Sequence, residues 1–339
     1  MKRIILFVLL LMLLLAGCMK KSDIQETLPE TKPSEPEAEK SIIHEAAWCV
    51  YWDPGSAAAA ENHVSRYREL ILFGCIYAED HSLFMPDQLV ELIAKLPENT
   101  SSDHSVYYLS FINDVMHPDG SSTQKSTDFL RDVLSDADLS DAVIDDMIRQ
   151  TRACGFDGVE LDYENMHKCG DLWDAYLDFV SRLYQRTVSE NLKLRVVLPV
   201  STPVDRLDFV KGPRYVVMCY NLYGNHSGPG PKADADFLKD TYQKFKKIDA
   251  HYALANGGFE WGPQGKVLQS LTAKKAASLA AETGADAARE YSGVLHYSYQ
   301  AEDGLHTVFY GDEDTIERWG EILLENADKD ICIDLWRLE

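Results

Sequence analysis

Residues 155–165 read Gly-Phe-Asp-Gly-Val-Glu-Leu-Asp-Tyr-Glu-Asn and form the most informative stretch of the chain. From Val159 onward apolar and acidic side chains alternate, as expected of a strand, where successive side chains point to opposite faces. Glu160, Asp162 and Glu164 therefore share one face of the predicted strand, with neighbours about 6.5–7 Å apart. Like charges crowded in this way raise the pKa of at least one carboxyl group, which is what a general acid near neutral pH requires.

Seven further apolar or aromatic runs alternate with helical segments around this strand. Such alternation is typical of a parallel sheet, and eight repeats within residues 41–339 predict an α/β fold, a single (β/α)8 TIM barrel. Only a loop and a helix fit between the last two predicted strands, so we expect no large insertion domain. The predicted strands are 46–52, 70–78, 106–113, 158–164, 192–199, 215–222, 252–259 and 294–300, and the predicted helices are 86–96, 140–154, 172–190, 235–248, 273–291 and 315–327.

The acidic strand is the fourth of the eight. In a barrel its apolar side chains would pack against the helices and its carboxylates would point into the interior. Chemistry in such barrels takes place at the carboxyl ends of the strands. The alternative is a half-exposed strand with a hydrated acidic face, as an antiparallel sheet would allow.

The N-terminus predicts export. Lys2 and Arg3 precede an apolar run over residues 4–15, too short for an ordinary membrane span. The order Leu-Ala-Gly-Cys at residues 15–18 resembles a bacterial lipobox, which implies a signal peptide over residues 1–17 and lipid on the Cys18 thiol. A plain signal peptide with a chance cysteine is the alternative. Residues 18–40 predict a disordered Pro/Glu-rich tether, so we expect an extracytoplasmic protein that is lipid-anchored to the bacterial cell membrane or cell surface.

The charge composition of the chain limits the classes of partner that it can bind. The chain carries 33 Lys and Arg against 55 Asp and Glu, a formal net charge of −22. Nucleic acids and anionic membrane surfaces need a basic patch, so we predict no nucleic-acid partner. The cysteines show no metal-ligand spacing, and no Gly-rich phosphate loop is present, so we predict neither a metal nor a cofactor. Six cysteines follow Cys18, and the sequence allows them to be either buried free thiols or disulfide-bonded pairs.

Three motifs resemble one enzyme family. The pattern of Asp157, Glu160, Asp162 and Glu164 resembles the DxxDxDxE signature of family 18 glycoside hydrolases, the chitinase-like (β/α)8 enzymes. Met-Cys-Tyr-Asn at residues 218–221 resembles the family's MxYD motif. Gly-Val-Leu-His-Tyr at residues 293–297 resembles its GxxxW motif on the eighth strand. The resemblance is greatest to bacterial glucosaminidases that act on peptidoglycan and spore cortex.

The resemblance implies substrate-assisted retaining cleavage of β-linked N-acetylglucosaminides, in which the sugar's acetamido oxygen is the nucleophile. Glu164 would be the general acid and base, Asp162 would hold the acetamide N–H, and Tyr220 would orient the acetamido oxygen. The partner implied is a polysaccharide or oligosaccharide that contains N-acetylglucosamine. The further predicted substrate contacts are Glu160, which would also tune Asp162, Tyr297 as the subsite floor, and Asp157, Met218, Asn221, Trp52 and Trp261.

Three departures from the family pattern keep a second hypothesis open. Glu160 and Asn221 each replace an Asp, and Tyr297 replaces a Trp. They favour a weakly active or inactive barrel that binds carbohydrate as a lectin does. The presence of Glu164 favours the enzyme, because inactive relatives usually lose that acid. The apparent lack of an insertion before the last strand implies a shallow groove suited to internal cuts.

Overall fold

Eight parallel strands close into a barrel in the computed structural model, and helices cover its outside. The structure describes residues 40–63, 67–96 and 106–339, and Lys40–Glu339 form one compact unit. The strands are β1 (Ile42–Val50), β2 (Glu69–Ala78), β3 (Leu83–Phe84), β4 (Val106–Met116), β5 (Ser122–Thr123), β6 (Gly158–Asp162), β7 (Lys193–Pro199), β8 (Arg214–Met218), β9 (His251–Ala255), β10 (Gly257–Trp261), β11 (Val267–Leu271), β12 (Ala288–Arg289), β13 (Leu295–Ala301), β14 (Gly304–Gly311) and β15 (Ile331–Trp336). The helices are α1 (Pro54–His63), α2 (Asp87–Lys95), α3 (Thr127–Ser135), α4 (Ala137–Ala153), α5 (Trp173–Ser189), α6 (Ala235–Phe245), α7 (Ala273–Thr283) and α8 (Glu313–Glu325).

The barrel consists of β1, β2, β4, β6, β7, β8, β9 and β15. Each strand pairs in parallel with the next, and β15 pairs with both β9 and β1, which closes the ring. The predicted (β/α)8 barrel is therefore confirmed, and the first seven predicted strands overlap the first seven barrel strands. Buried parallel strands have near-continuous apolar sequences, which is why these runs were recognisable.

Helix boundaries follow from the capping residues. A side-chain oxygen just before each of five helices accepts a hydrogen bond from a backbone N–H of the first turn, which would otherwise lack a partner. Helix α7 ends at Gly284, whose φ of +64° suits glycine at a helix C-terminus, so the helix predicted to residue 291 is shorter. The N-terminal caps are Ser126 for α3, Asp136 for α4, Asp234 for α6, Thr272 for α7 and Asp312 for α8.

The eighth predicted strand is wrong, and so is the prediction of no insertion. Residues 294–300 fall in β13, which belongs to a separate antiparallel sheet of order β11-β10-β14-β13-β12. This sheet and α7 lie in sequence between barrel strands β9 and β15, so an insert over residues 257–311 precedes the true eighth strand. In β13 buried and more exposed side chains are mixed, as in a sheet with one solvent-facing side.

The barrel interior contains a buried cluster of charges around Arg195. Its guanidinium donates to Glu160 Oε2 at 2.9 Å, to Glu69 Oε2 at 2.8 Å and to Asp334 Oδ2 at 2.8 Å. These side chains come from β7, β6, β2 and β15, and none is more than 2% exposed. Buried charges are tolerated when they are paired and hydrogen-bonded, so this cluster links four barrel strands at their centre.

The chain enters the barrel at the amino end of β1. There the backbone N–H of Ser41 donates to Asp330 Oδ1 at 2.8 Å. The predicted signal peptide, Cys18 lipidation and tether up to residue 39 lie outside the described residues. Among the helices that the structure describes, none is both long enough and apolar enough to cross a bilayer.

Candidate active site

A cleft of about 470 Å³ opens at the carboxyl ends of the barrel strands. Its walls are formed by residues of β2, β4 and β5, by residues that follow β1, β5, β6 and β8, and by the last residues of β6, β8 and β15. This is the end of a TIM barrel at which loops carry chemistry. The aromatic lining residues are Tyr51, Trp52, Phe73, Tyr220 and Trp336, and the polar ones include Asn113, Asp114, Gln124, Lys125, Asp162, Glu164 and Asn221.

A second cavity is larger, about 910 Å³, and lies at the other end of the barrel. It is lined by residues at the amino ends of β7, β8 and β9, among them Lys193, Arg214 and His251. None of the predicted site residues borders it. This cavity has the larger volume, but carboxylates and aromatic rings converge on the smaller cleft, which is therefore the candidate active site.

The three carboxylates of the acidic strand run from the barrel centre to the cleft. Glu160 is fully buried, Asp162 is 7% exposed, and the side chain of Glu164 is 20% exposed. Burial raises the pKa of Asp162 well above the usual range, and the charges of Glu164 and Glu160 raise it further. Asp162 Oδ1 is buried without a hydrogen-bond partner among the described residues. A polar ligand group with a donor that enters the cleft could satisfy it.

Glu160 lies beneath Asp162 and is held by two donors. Its Oε1 accepts from Trp48 Nε1 at 2.7 Å and its Oε2 accepts from Arg195 Nε at 2.9 Å. Burial raises the pKa of Glu160, whereas Arg195 and the Trp48 hydrogen bond oppose that shift. Glu160 does not line the cleft, but it is close enough for its charge to act on Asp162.

Glu164 stands just past the end of β6, and two residues of other elements fix it. Asn113, at the end of β4, accepts from the Glu164 backbone N–H at 2.8 Å and donates to its carbonyl oxygen at 3.2 Å. Lys125 Nζ lies 2.6 Å from Glu164 Oε1. Neither Asn113 nor Lys125 was a sequence candidate. Both are far from Glu164 along the chain, and no local pattern connects them.

Tyr220 and Trp336 form the aromatic floor of the cleft. Their rings stack with centroids 6.1 Å apart and an interplanar angle of 12°. Trp336 also packs edge-on against Trp48 and Phe73. Burial, together with the charges of Asp162 and Glu164, raises the pKa of Tyr220 well above 10, so its hydroxyl stays a hydrogen-bond donor.

Trp336 was missed because β15 was missed. The predicted floor residue, Tyr297, lies instead in the insert, where it is buried and donates from its hydroxyl to Ala276 O at 2.8 Å. The predicted GxxxW-like motif is therefore not at the cleft. Ile-Cys-Ile-Asp-Leu-Trp, residues 331–336, ends in the aromatic residue that occupies this place.

Two further predicted substrate-binding residues lie away from the cleft. Trp261 is fully buried within the antiparallel insert. Asp157 precedes β6 at the opposite end of the barrel, where its carboxylate accepts from the backbone N–H of Tyr107 at 2.9 Å. By contrast, Trp52 lies at the rim with 48% of its surface exposed.

The MxYD-like segment lies at the cleft as expected. Met218, at the end of β8, is buried beneath it, and Asn221 is exposed at its edge. Asn221 Nδ2 lies 3.9 Å from Met218 Sδ. Tyr220 stands between them in sequence, so this segment places its ring opposite the acidic strand.

The described part of the chain holds neither a metal-ligand cluster nor a disulfide. There, no three His, Cys, Asp or Glu side chains are arranged to hold a metal ion. All six cysteines after Cys18 are free thiols, and four of them are buried. The buried four are Cys49, Cys75, Cys169 and Cys219.

Solved structures share this fold. A chitinase from Chromobacterium violaceum ATCC 12472 matches with a TM-score of 0.69 and 17% identity over 88% of this chain and 94% of that one. The spore cortex-lytic enzyme SleL of Bacillus cereus matches with a TM-score of 0.70 and 17% identity over 89% and 72%. A class V chitinase from Nicotiana tobaccum gives 0.65 and 13% over 86% and 93%. No protein-family model matches the chain, and no curated protein is significantly similar to it in sequence.

Proposed function

We propose that this protein is a glycoside hydrolase that cleaves β-linked N-acetylglucosaminide glycans, with Glu164 as general acid and base. The observation that carries the proposal is the convergence of Glu164, Asp162 and Tyr220 on one cleft above the stacked Trp336. The fold is shared with solved chitinases and with a spore cortex-lytic enzyme, which supports the same class of substrate.

The environment of each residue suits substrate-assisted retaining catalysis. Asp162 has a buried oxygen without a partner, which an acetamide N–H would satisfy. Tyr220 keeps its proton and can donate to the acetamido oxygen, so that this oxygen is held beneath the anomeric carbon. Glu164 is the most accessible carboxylate of the three, as a group that must reach the bridging oxygen and then water should be.

A lectin-like barrel is the second candidate. The observation that favours it is the ion pair between Lys125 and Glu164, which engages the carboxylate that would have to deliver a proton. Such a barrel would bind glycans on Tyr220 and Trp336 without cleaving them.

We further propose that the chain is a lipoprotein held at the cell envelope through Cys18. The lipobox-like residues 15–18 and the Pro/Glu-rich stretch up to residue 40 support this placement. An anchored enzyme of this class would act on peptidoglycan or on glycans captured from outside. Labelling with a radioactive fatty acid, compared between wild type and Cys18→Ala, tests it, and equal labelling would contradict it.

The decisive experiment compares the full chain with Glu164→Gln and with the matched control Glu302→Gln, an exposed glutamate outside the cleft. Each is incubated with chitooligosaccharides and with purified peptidoglycan, and new reducing ends are identified by mass. We expect the wild type and the control to cleave, and Glu164→Gln to be slower by about 100-fold or more, the usual contribution of a positioned acid. Binding without cleavage by the wild type would reject the enzyme in favour of the lectin.

A further inference from the structure

Lys125 is the only cation that lines the cleft among the residues that the structure describes. It follows the short strand β5 in the excursion between β4 and α3. Its backbone N–H donates to Asp114 Oδ1 at 2.7 Å, and its carbonyl accepts from Asn165 Nδ2 at 2.9 Å. Its φ of +50° is uncommon for a residue with a side chain, so these contacts fix a position that lysine does not favour.

The ammonium group of Lys125 keeps capacity for a ligand. Glu164 Oε1, 2.6 Å away, is its only partner among the described residues, although an ammonium carries three donors. The side chain lines the cleft and is 46% exposed, so a ligand in the cleft can reach the ammonium. A ligand anion in the cleft can therefore bind the ammonium beside Glu164.

The contact with Glu164 determines how far a bound anion would lie from the scissile bond. A general acid lies about 2.6–3.2 Å from the oxygen that it protonates, so Lys125 Nζ stands within about 6–8 Å of the scissile bridging oxygen. In a β-1,4-linked glycan that oxygen is the 4-oxygen of the leaving sugar, and the 3-oxygen is on the adjacent ring carbon. A carboxylate two bonds beyond the 3-oxygen is within reach of the ammonium.

We infer that Lys125 is a specificity residue that binds an acidic substituent on the 3-oxygen of the leaving sugar. The lactyl ether of N-acetylmuramic acid in peptidoglycan has this chemistry, whereas the sugars of chitin carry a neutral hydroxyl there. The inference rests on the proposed function and names its substrate class. It also accounts for a lone lysine in the cleft of a chain whose formal net charge is −22, because an anionic glycan needs a local cation to offset that field.

The test compares two matched glycans with the full chain. One is a peptide-free strand of alternating N-acetylglucosamine and N-acetylmuramic acid, and the other is the same strand with its lactyl carboxylates converted to methyl amides. For the wild type we expect kcat/KM to be about tenfold higher on the acidic strand, a difference of about 1.4 kcal/mol. The preference should shrink at high salt, because a half-exposed ion pair is screened.

Lys125→Met should abolish the preference, Lys125→Arg should keep it, and Lys239→Met, an exposed lysine on α6, is the control for loss of a positive charge. The ratio of the two kcat/KM values is the readout, because any effect of Lys125 on Glu164 itself acts on both strands alike. A wild type that cleaves both strands equally, or a Lys125→Met variant with an unchanged ratio, overturns the inference and leaves the glycosidase intact. A wild type that cleaves neither strand nor chitooligosaccharides overturns the proposed function as well.

Discussion

Single residues connect the candidate site to the centre of the barrel. The Glu160 carboxylate accepts hydrogen bonds from both Arg195 and the Trp48 indole. It therefore belongs to the buried cluster below and acts by its charge on Asp162 above. Replacing Arg195 would leave three buried carboxylates without their shared cation, a change that usually costs several kcal/mol.

His251 gives this cluster a pH dependence that can be measured. The neighbouring Asp334 carboxylate raises the pKa of His251 to about 9 against the opposing effect of burial, and the two side chains lie 3.4 Å apart. A histidine whose pKa is raised in the folded state stabilises that state fully below its unfolded pKa of about 6.5, and this stabilisation is lost as the pH rises through about 9.

We therefore expect His251→Asn to destabilise the protein by up to about 3 kcal/mol at pH 6, and by much less at pH 10. Urea unfolding of wild type and variant at pH 6, 8 and 10 measures this difference. His226→Asn, at an exposed histidine, controls for loss of an imidazole. A difference that does not change with pH would show that His251 is not charged in the folded protein.

At the scale of whole elements, strand β6 was predicted from the sequence and strand β15 was not. In β6 the alternation of acidic and apolar residues was sufficient to place the carboxylates, because a strand has only two faces. In β15 the buried Asp334 interrupts the apolar run, which weakens the strand pattern. Lys125 and Asn113 could not be found in this way, because only the folded barrel brings β4 and the segment after β5 to Glu164.

Trp336 of β15, and not Tyr297 of β13, lies at the floor of the cleft, and variants of the two residues test this assignment. Trp336→Ala removes the ring that stacks on Tyr220. We expect kcat/KM for glycan cleavage to fall about tenfold to 100-fold, since truncating a central aromatic residue of a binding surface often costs about 2 kcal/mol. Tyr297→Phe removes one hydrogen bond in the insert and should cost about 1 kcal/mol of stability without changing cleavage. Steady-state kinetics and urea unfolding of both variants decide between the two residues. An unchanged kcat/KM in Trp336→Ala would contradict the assignment of Trp336 as the floor residue.

For the molecule as a whole, closure of the barrel depends on its last strand. β15 is the only link between β9 and β1 in the described structure, and its Asp334 completes the buried cluster. A chain that ends at Asp330 would leave two parallel strands with unpaired edges and Arg195 without one of its carboxylates.

We expect this truncated chain to lack a cooperative unfolding transition, whereas a chain that starts at Lys40 should unfold as the full chain does. Circular dichroism during urea titration measures both. A cooperative transition in the chain ending at Asp330, at a denaturant concentration close to that of wild type, would contradict a closed barrel.

The entry of the chain at the amino end of β1 bears on where such an enzyme could work. The cleft opens at the carboxyl ends, so whatever precedes Lys40 is joined to the end of the barrel that lies away from the cleft. If Cys18 carries lipid as we propose, the 22 residues from Met19 to Lys40 span at most about 75 Å when fully extended. Substrate would then be taken from a shell of about that depth around the bilayer.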